Sequence, residues 1–244
     1  MLLQLRAKMS QKTDKVHVWI RKEFSFYVAD YLLKYGCQDL GISPYVEIEW
    51  IEKYPNISWV WGSNLENLYG YEYGRTLGKK DAFDISWYEK YPDKPWDFNN
   101  DISMSCNLDI SWIQKYPNLD WNWGAIGHSL NLNLDWLKYL QTLSIPELWE
   151  SISLNTRLDI SWIRNYPEAP WDWNNINRNY YFIKQFKLEY YEEFPNFPWN
   201  WKTIGRISNQ FKIEWVSKYP GLSWSFSEIS RNKNLQLSWL EKFP

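Results

Sequence analysis

The sequence predicts an all-α chain, a right-handed-type α-solenoid of short two-helix repeats of about 25 residues. Three observations predict it. A 16-residue phrase recurs, as LDISWIQKYPNLDWNW over Leu108–Trp123 and as LDISWIRNYPEAPWDW over Leu158–Trp173. Variants begin at Val46, Phe83, Lys187 and Phe211, and a half-copy, LQLSWLEKFP, runs to Pro244. The lead aromatic of each copy falls at Trp50, Trp87, Trp112, Trp136, Trp162, Tyr190, Trp215 and Trp239, with spacings of 37, 25, 24, 26, 28, 25 and 24. Finally, cap residues and prolines punctuate most copies at helix-terminus positions.

Residues 1–45 lie outside the repeat. Phe24, Tyr27, Val28, Tyr31, Leu32 and Tyr35 make one helical face that ends at Gly36. A solenoid needs an atypical end unit to cover its first face, so this segment reads as an N-terminal helical cap. Residues 46–244 then hold about seven and a half repeats.

In each repeat, Asp84, Asp109 and Asp159 stand at N-cap positions ahead of the first helix. Ile110 and Ile113 share one face and Trp112 and Tyr116 another. Proline then stops the helix at Pro55, Pro92, Pro117, Pro167, Pro195 and Pro220, because the residue before proline avoids the α region. The second helix starts inside an aromatic pair, at Val60, Asp97, Asn122, Asp172, Asn200 or Ser225. Five of those six are N-cap types, and Ser225 with Glu228 has the spacing of a capping box. Ile126, Ile176, Ile204 and Ile229 follow four residues later, in staple register with Trp121, Trp171, Trp199 and Trp224. In the second repeat one extra residue shifts that isoleucine to Ile102. Asn107, Asn155, Asn179, Asn209 and Asn234 mark the links, where asparagine tolerates the left-handed conformation that closes a helix. Helices of about two turns are marginal alone and must be held by their neighbours. The aromatic columns therefore form the core; they hold 17 of the 19 tryptophans, leaving out Trp19 and Trp149. A rival reading takes the alternation of L-D-I-S-W as a strand and gives a leucine-rich-repeat-like α/β coil of similar period.

Two segments break the pattern: an insertion at 62–80 and a degenerate repeat at 132–155, where Trp149 reads as a displaced copy of the missing aromatic.

Composition excludes several classes. A net charge of −2 lacks the basic excess of a dedicated nucleic-acid binder. No stretch approaches the roughly 18 apolar residues of a membrane span, and Met1–Leu5 is too short for a signal core. Cys37 and Cys106 are isolated, which excludes a disulfide scaffold and points to an intracellular setting.

The two clearest copies, LDISWIQKYPNLDWNW and LDISWIRNYPEAPWDW, resemble short Trp-rich tandem repeats in proteins of large DNA viruses that infect amoebae. The likeness covers residues 46–244. It implies a viral origin and a repeat scaffold, in host cytoplasm or virus particle, and brings no catalytic motif with it.

Chemistry is sparse. Asp97 and Asp172, flanked by aromatics, could pair as glycosidase carboxylates, but the Asn and Ser found there in other repeats point to capping. Gly78-Lys79-Lys80 fails as a phosphate loop, with Tyr73 where its first glycine belongs and Lys80 where Ser or Thr belongs. His17 and His128 have no metal-ligand spacing with the cysteines; a surface histidine and a buried free thiol are the expected roles. Two candidate binding features remain. Tyr69, Tyr71 and Tyr73 make the insertion a Tyr-rich contact loop. His128, Arg178, Arg206 and Arg231 each stand five residues after the second aromatic of a pair, as a basic stripe for an anion or an acidic partner, or as helix-dipole partners. The overall reading is a non-enzymatic scaffold without cofactor that mediates protein–protein interaction. Its surface varies at Glu52, Glu89, Gln114, Lys138, Arg164, Glu192 and Ser217. Alternatives are a structural or packaging component of a virus particle and an enzyme with its site in the inserted loop.

Overall fold

The computed structural model describes residues 26, 27, 29–31, 33, 34, 46–57, 59–62, 76–79 and 83–242. Tyr69, Tyr71, Tyr73, Cys37, His17 and most of the expected cap lie outside these residues. The chain divides into two compact parts, Met1–Asn122 and Trp123–Pro244. All regular structure among the described residues is helical, so the strand-based coil is excluded. In L-D-I-S-W the extended residue is the cap itself. Asp109 sits at φ −123°, ψ 143° and its carboxylate accepts from the Ser111 N–H, which starts the helix Ile110–Lys115. Asp84 and Asp159 do the same for Ile85–Lys90 and Ile160–Asn165.

The proline stop has one geometry throughout. Tyr54, Tyr91, Tyr116, Tyr166, Phe194 and Tyr219, each before a proline, have φ between −125° and −133° and ψ between 60° and 65°. This places each outside the α region. The freed carbonyl is then used: the indole N–H of the tryptophan five residues on donates to it, as Trp96 to Tyr91 at 2.8 Å, Trp121 to Tyr116 at 2.8 Å and Trp171 to Tyr166 at 2.8 Å. Trp59, Trp199 and Trp224 repeat the bond. Burying an indole N–H without a partner costs free energy, and here the bond also fastens the helix end that proline left open.

Asp172, Asn200 and Ser225 cap the second helices Trp173–Arg178, Trp201–Ile207 and Phe226–Ile229. Asp97 caps Asn100, but the extra residue there turns the second helix into a turn followed by a 3-10 helix, Ile102–Met104. The capping box at Ser225 forms only in one direction, because the Glu228 carboxylate pairs with Arg231 and Arg206. The staple isoleucines are buried.

Packing between successive copies is edge-on or tilted. The second aromatic of one pair meets the first of the next: Trp61 with Trp96, Phe98 with Trp121, Trp173 with Trp199 and Trp201 with Trp224, with ring centroids 4.9–5.2 Å apart. Trp149 meets Trp171 in the same way at 5.0 Å. It also stands three residues before buried Ile152, as Trp173 stands before Ile176. Trp149 is therefore an aromatic in its own place rather than a displaced one. In its helix, Pro146–Ser153, Glu147 takes the position of the missing tryptophan. The column of second aromatics is less buried than expected: Trp61, Trp123 and Trp173 are half-buried and Phe226 is exposed.

Asn179 acts differently from the expectation. Asn179 has φ −67°, not a left-handed value. It is buried, and its amide donates to the carbonyls of Ser153 and Asn155 at 3.1 and 2.9 Å. Asn155 clamps Gly127 and Ser129 in the same way, and Asn232 clamps Gly205 and Ser208. Each reaches back 24–28 residues, so the asparagines join one link to the previous one. Close approach at these joints also needs small residues. A Cβ on Gly127 would lie 2.6 Å from Ser151 Cβ and 2.8 Å from the Leu148 carbonyl oxygen.

Ahead of the first copy, the described residues among 26–34 are helical, with Ala29 buried but Tyr27 and Tyr31 exposed, which departs from the face expected for them. Asp30 ties this helix to the first copy through Lys53 at 3.0 Å and the Tyr54 hydroxyl at 2.5 Å. At the other end, Trp239 packs 5.5 Å from buried Phe211, while Leu237 is 80% exposed.

Candidate binding surface

The first helices carry a ladder of ion pairs. The residue two positions after the lead aromatic pairs with the residue three positions after the next one. Glu52 pairs with Lys90, Glu89 with Lys115 at 2.6 Å and Glu192 with Lys218 at 2.6 Å. At Arg164 and Glu193 the signs are reversed, and the guanidinium grips both carboxylate oxygens at 2.6 Å. The partners set the titration. Lys115 holds the Glu89 carboxyl below its ordinary range, and Lys218 with the Tyr219 hydroxyl does so for Glu192. Arg164 lowers Glu193, while Glu89 and Glu192 raise Lys115 and Lys218. Glu52, Glu89, Arg164 and Glu192, which sequence alone offers as a variable surface, are thus committed to neighbouring copies.

The carboxylates considered for chemistry are caps: Asp97 accepts from Asn100 at 2.7 Å and Asp172 from Asn175 at 3.1 Å. Lys79, in the short helix Leu77–Lys79, pairs at 2.9 Å with fully buried Asp101, which gives the failed phosphate loop a structural task. Cys106 is exposed, against the expectation of a buried thiol. Among the described residues no cluster of three or more His, Cys, Asp or Glu side chains could hold a metal ion.

The four stripe residues are all exposed and sit at the ends of the second helices or just beyond. His128 and Arg178 are the last residues of Trp123–His128 and Trp173–Arg178, so the Arg178 guanidinium faces a negative helix end. Arg206 and Arg231 share Glu228, at 3.5 and 3.0 Å. Sequence spacing did not show that the stripe extends into the links. Arg157 also lies there, with its guanidinium donating to the Leu130 carbonyl. Lys184 sits 5.4 Å from the ring centroid of Tyr180.

Compared with family models, with curated proteins and with solved structures, the chain matches none.

Proposed function

We propose that the chain is a non-enzymatic repeat scaffold, an α-solenoid whose copies hold one another and whose exposed polar surface binds protein. One observation carries this reading. The same indole-to-carbonyl bond recurs in six copies with lengths of 2.8–3.3 Å, while the exposed residues around it change from copy to copy. A constant frame with a changing surface is the economy of a repeat binder, in which stability and recognition reside in different residues. The aromatic columns, asparagine clamps and ion pairs are all used within the frame. Recognition is left to side chains that the frame does not employ.

Crosslinking of the full chain in its native extract, followed by mass spectrometry, tests this. The expected result is a reproducible set of protein crosslinks from exposed lysines. A chain that yields only intramolecular crosslinks and runs as a bare monomer would count decisively against it.

A further inference from the structure

Charge in residues 123–244 is sorted by position. The five links, at 127–133, 153–158, 177–187, 205–212 and 229–236, contain eight Lys or Arg and no Asp or Glu. The segments between them, at 134–152, 159–176, 188–204 and 213–228, contain eleven Asp or Glu and four Lys or Arg. The near-neutral total conceals this separation.

The links lie side by side. Asn155 donates to the Ser129 carbonyl, and Asn179 to that of Asn155. The Asn209 N–H donates to the Lys184 carbonyl, Asn232 to that of Ser208, and Asn234 to that of Asn209. One continuous chain of hydrogen bonds therefore runs along all five. Apolar side chains stand out of the same links, with Leu130 65%, Leu154 37%, Tyr180 50% and Tyr181 55% exposed. Arg178, Lys187, Lys212 and Lys233 are exposed, and their side chains have no hydrogen bond or ion pair among the described residues. Spared cations in the last three links, continuous with uncovered apolar side chains in the first three, are the composition of a binding strip.

We infer that this link edge binds an extended acidic peptide that also carries apolar side chains. The inference rests on the scaffold reading and names the face and the partner chemistry within it. Rung spacing argues for a peptide. Packed helices stand about 8–10 Å apart, and an extended chain advances about 3.4 Å per residue, so every third residue of an extended peptide meets a successive rung. A nucleic-acid strand carries a charge about every 3.4 Å; most of its phosphates would find no cation, and Leu130 and Leu154 would face polar backbone. The peptide's carboxylates meet Arg178, Lys187, Lys212 and Lys233, and its apolar residues cover the two leucines and the tyrosine pair.

The test uses the full chain and a fluorescein-labelled peptide, (Asp-Ser-Leu) repeated four times, read by fluorescence anisotropy. Its Asn-Ser-Leu counterpart, a 12-nucleotide oligo-dT and vesicles containing phosphatidylserine are run beside it. The acidic peptide is expected to bind, weakening with salt. The double variant Arg178→Glu/Lys233→Glu should lose at least about tenfold in affinity, and Leu130→Ser/Leu154→Ser about fivefold. Lys138→Glu/Lys202→Glu, an equal charge change away from the links, should stay within about twofold. Circular dichroism of the link variants should match the parent, and melting should fall only by the roughly 2–4 °C that reversing one charge at a helix end costs. The inference is overturned if the acidic peptide does not bind, if the Asn peptide binds as tightly, or if the link variants bind it unchanged. It is equally overturned if oligo-dT or vesicles bind where the peptide does not. Protein crosslinks that persist in the Arg178→Glu/Lys233→Glu chain would leave the scaffold standing and remove only this face; their absence from both chains would remove the scaffold itself.

Discussion

Asn179 illustrates how single residues hold this chain. Its amide satisfies two carbonyls of the previous link from a buried position. Asn179→Ala leaves them short of a donor, and we expect a loss of about 2 kcal/mol in urea unfolding; a loss under about 0.5 kcal/mol would contradict the clamp. The tryptophans divide by the same logic. Trp171 donates to the Tyr166 carbonyl, whereas the buried Trp149 N–H has no partner. Both lose ring volume on substitution by phenylalanine, so their difference isolates the hydrogen bond. Trp171→Phe should be about 1 kcal/mol more destabilising than Trp149→Phe, measured the same way. None of this was legible in the sequence. Asparagine at a link reads equally well as a helix closer, and only burial with a partner 24–28 residues back shows it to be a clamp.

Elements show where local pattern sufficed. Caps at Asp84, Asp109, Asp159, Asp172 and Asn200 and the proline stops were readable because each depends on chemistry within four residues. What joins elements was not. The helix Trp123–His128 packs on Pro146–Ser153 through Gly127, whose close approach no spacing rule encodes. Gly127→Ala should cost about 1–3 kcal/mol. Gly221, with nothing within 4 Å of a Cβ and no positive φ, should accept alanine with no loss and up to about 1 kcal/mol of gain. Thermal melts of the two variants rank them, and equal melting temperatures would contradict the packing. The ion-pair ladder has its own pH signature. Glu192 is held below its ordinary pKa, so the stability it lends is present above the unfolded glutamate value, about 4.3, and is lost as pH falls through the lower folded value. Glu192→Gln should therefore melt below the parent at pH 7, and the two curves should converge in acid. A gap that stays constant to pH 2.5 would show that the pair contributes nothing through its charge.

Across the whole chain, period and core are legible because the aromatics repeat, and helical class follows from the caps and prolines. The basic link edge was half visible: His128, Arg178, Arg206 and Arg231 share a sequence offset, but Arg157, Lys184, Lys187, Lys212 and Lys233 do not. They join the edge only because hydrogen bonds bring the links side by side. The ladder was obscured for a related reason, since Glu89 and Lys115 look like unrelated surface charges until the copies are set in register. The central claim is that each copy is held chiefly by its neighbours, as in a one-dimensional stack. Hydrogen exchange of Asn232→Ala, compared with the parent by mass spectrometry, tests it most directly. The clamp on Gly205 and Ser208 is removed, so exchange should quicken in Trp201–Ile207, Glu214–Lys218 and Phe226–Ile229. Leu134–Leu140 and Ile160–Asn165 should keep their protection. A uniform loss of protection over residues 134–242 would contradict the stack and show a single cooperative core in its place.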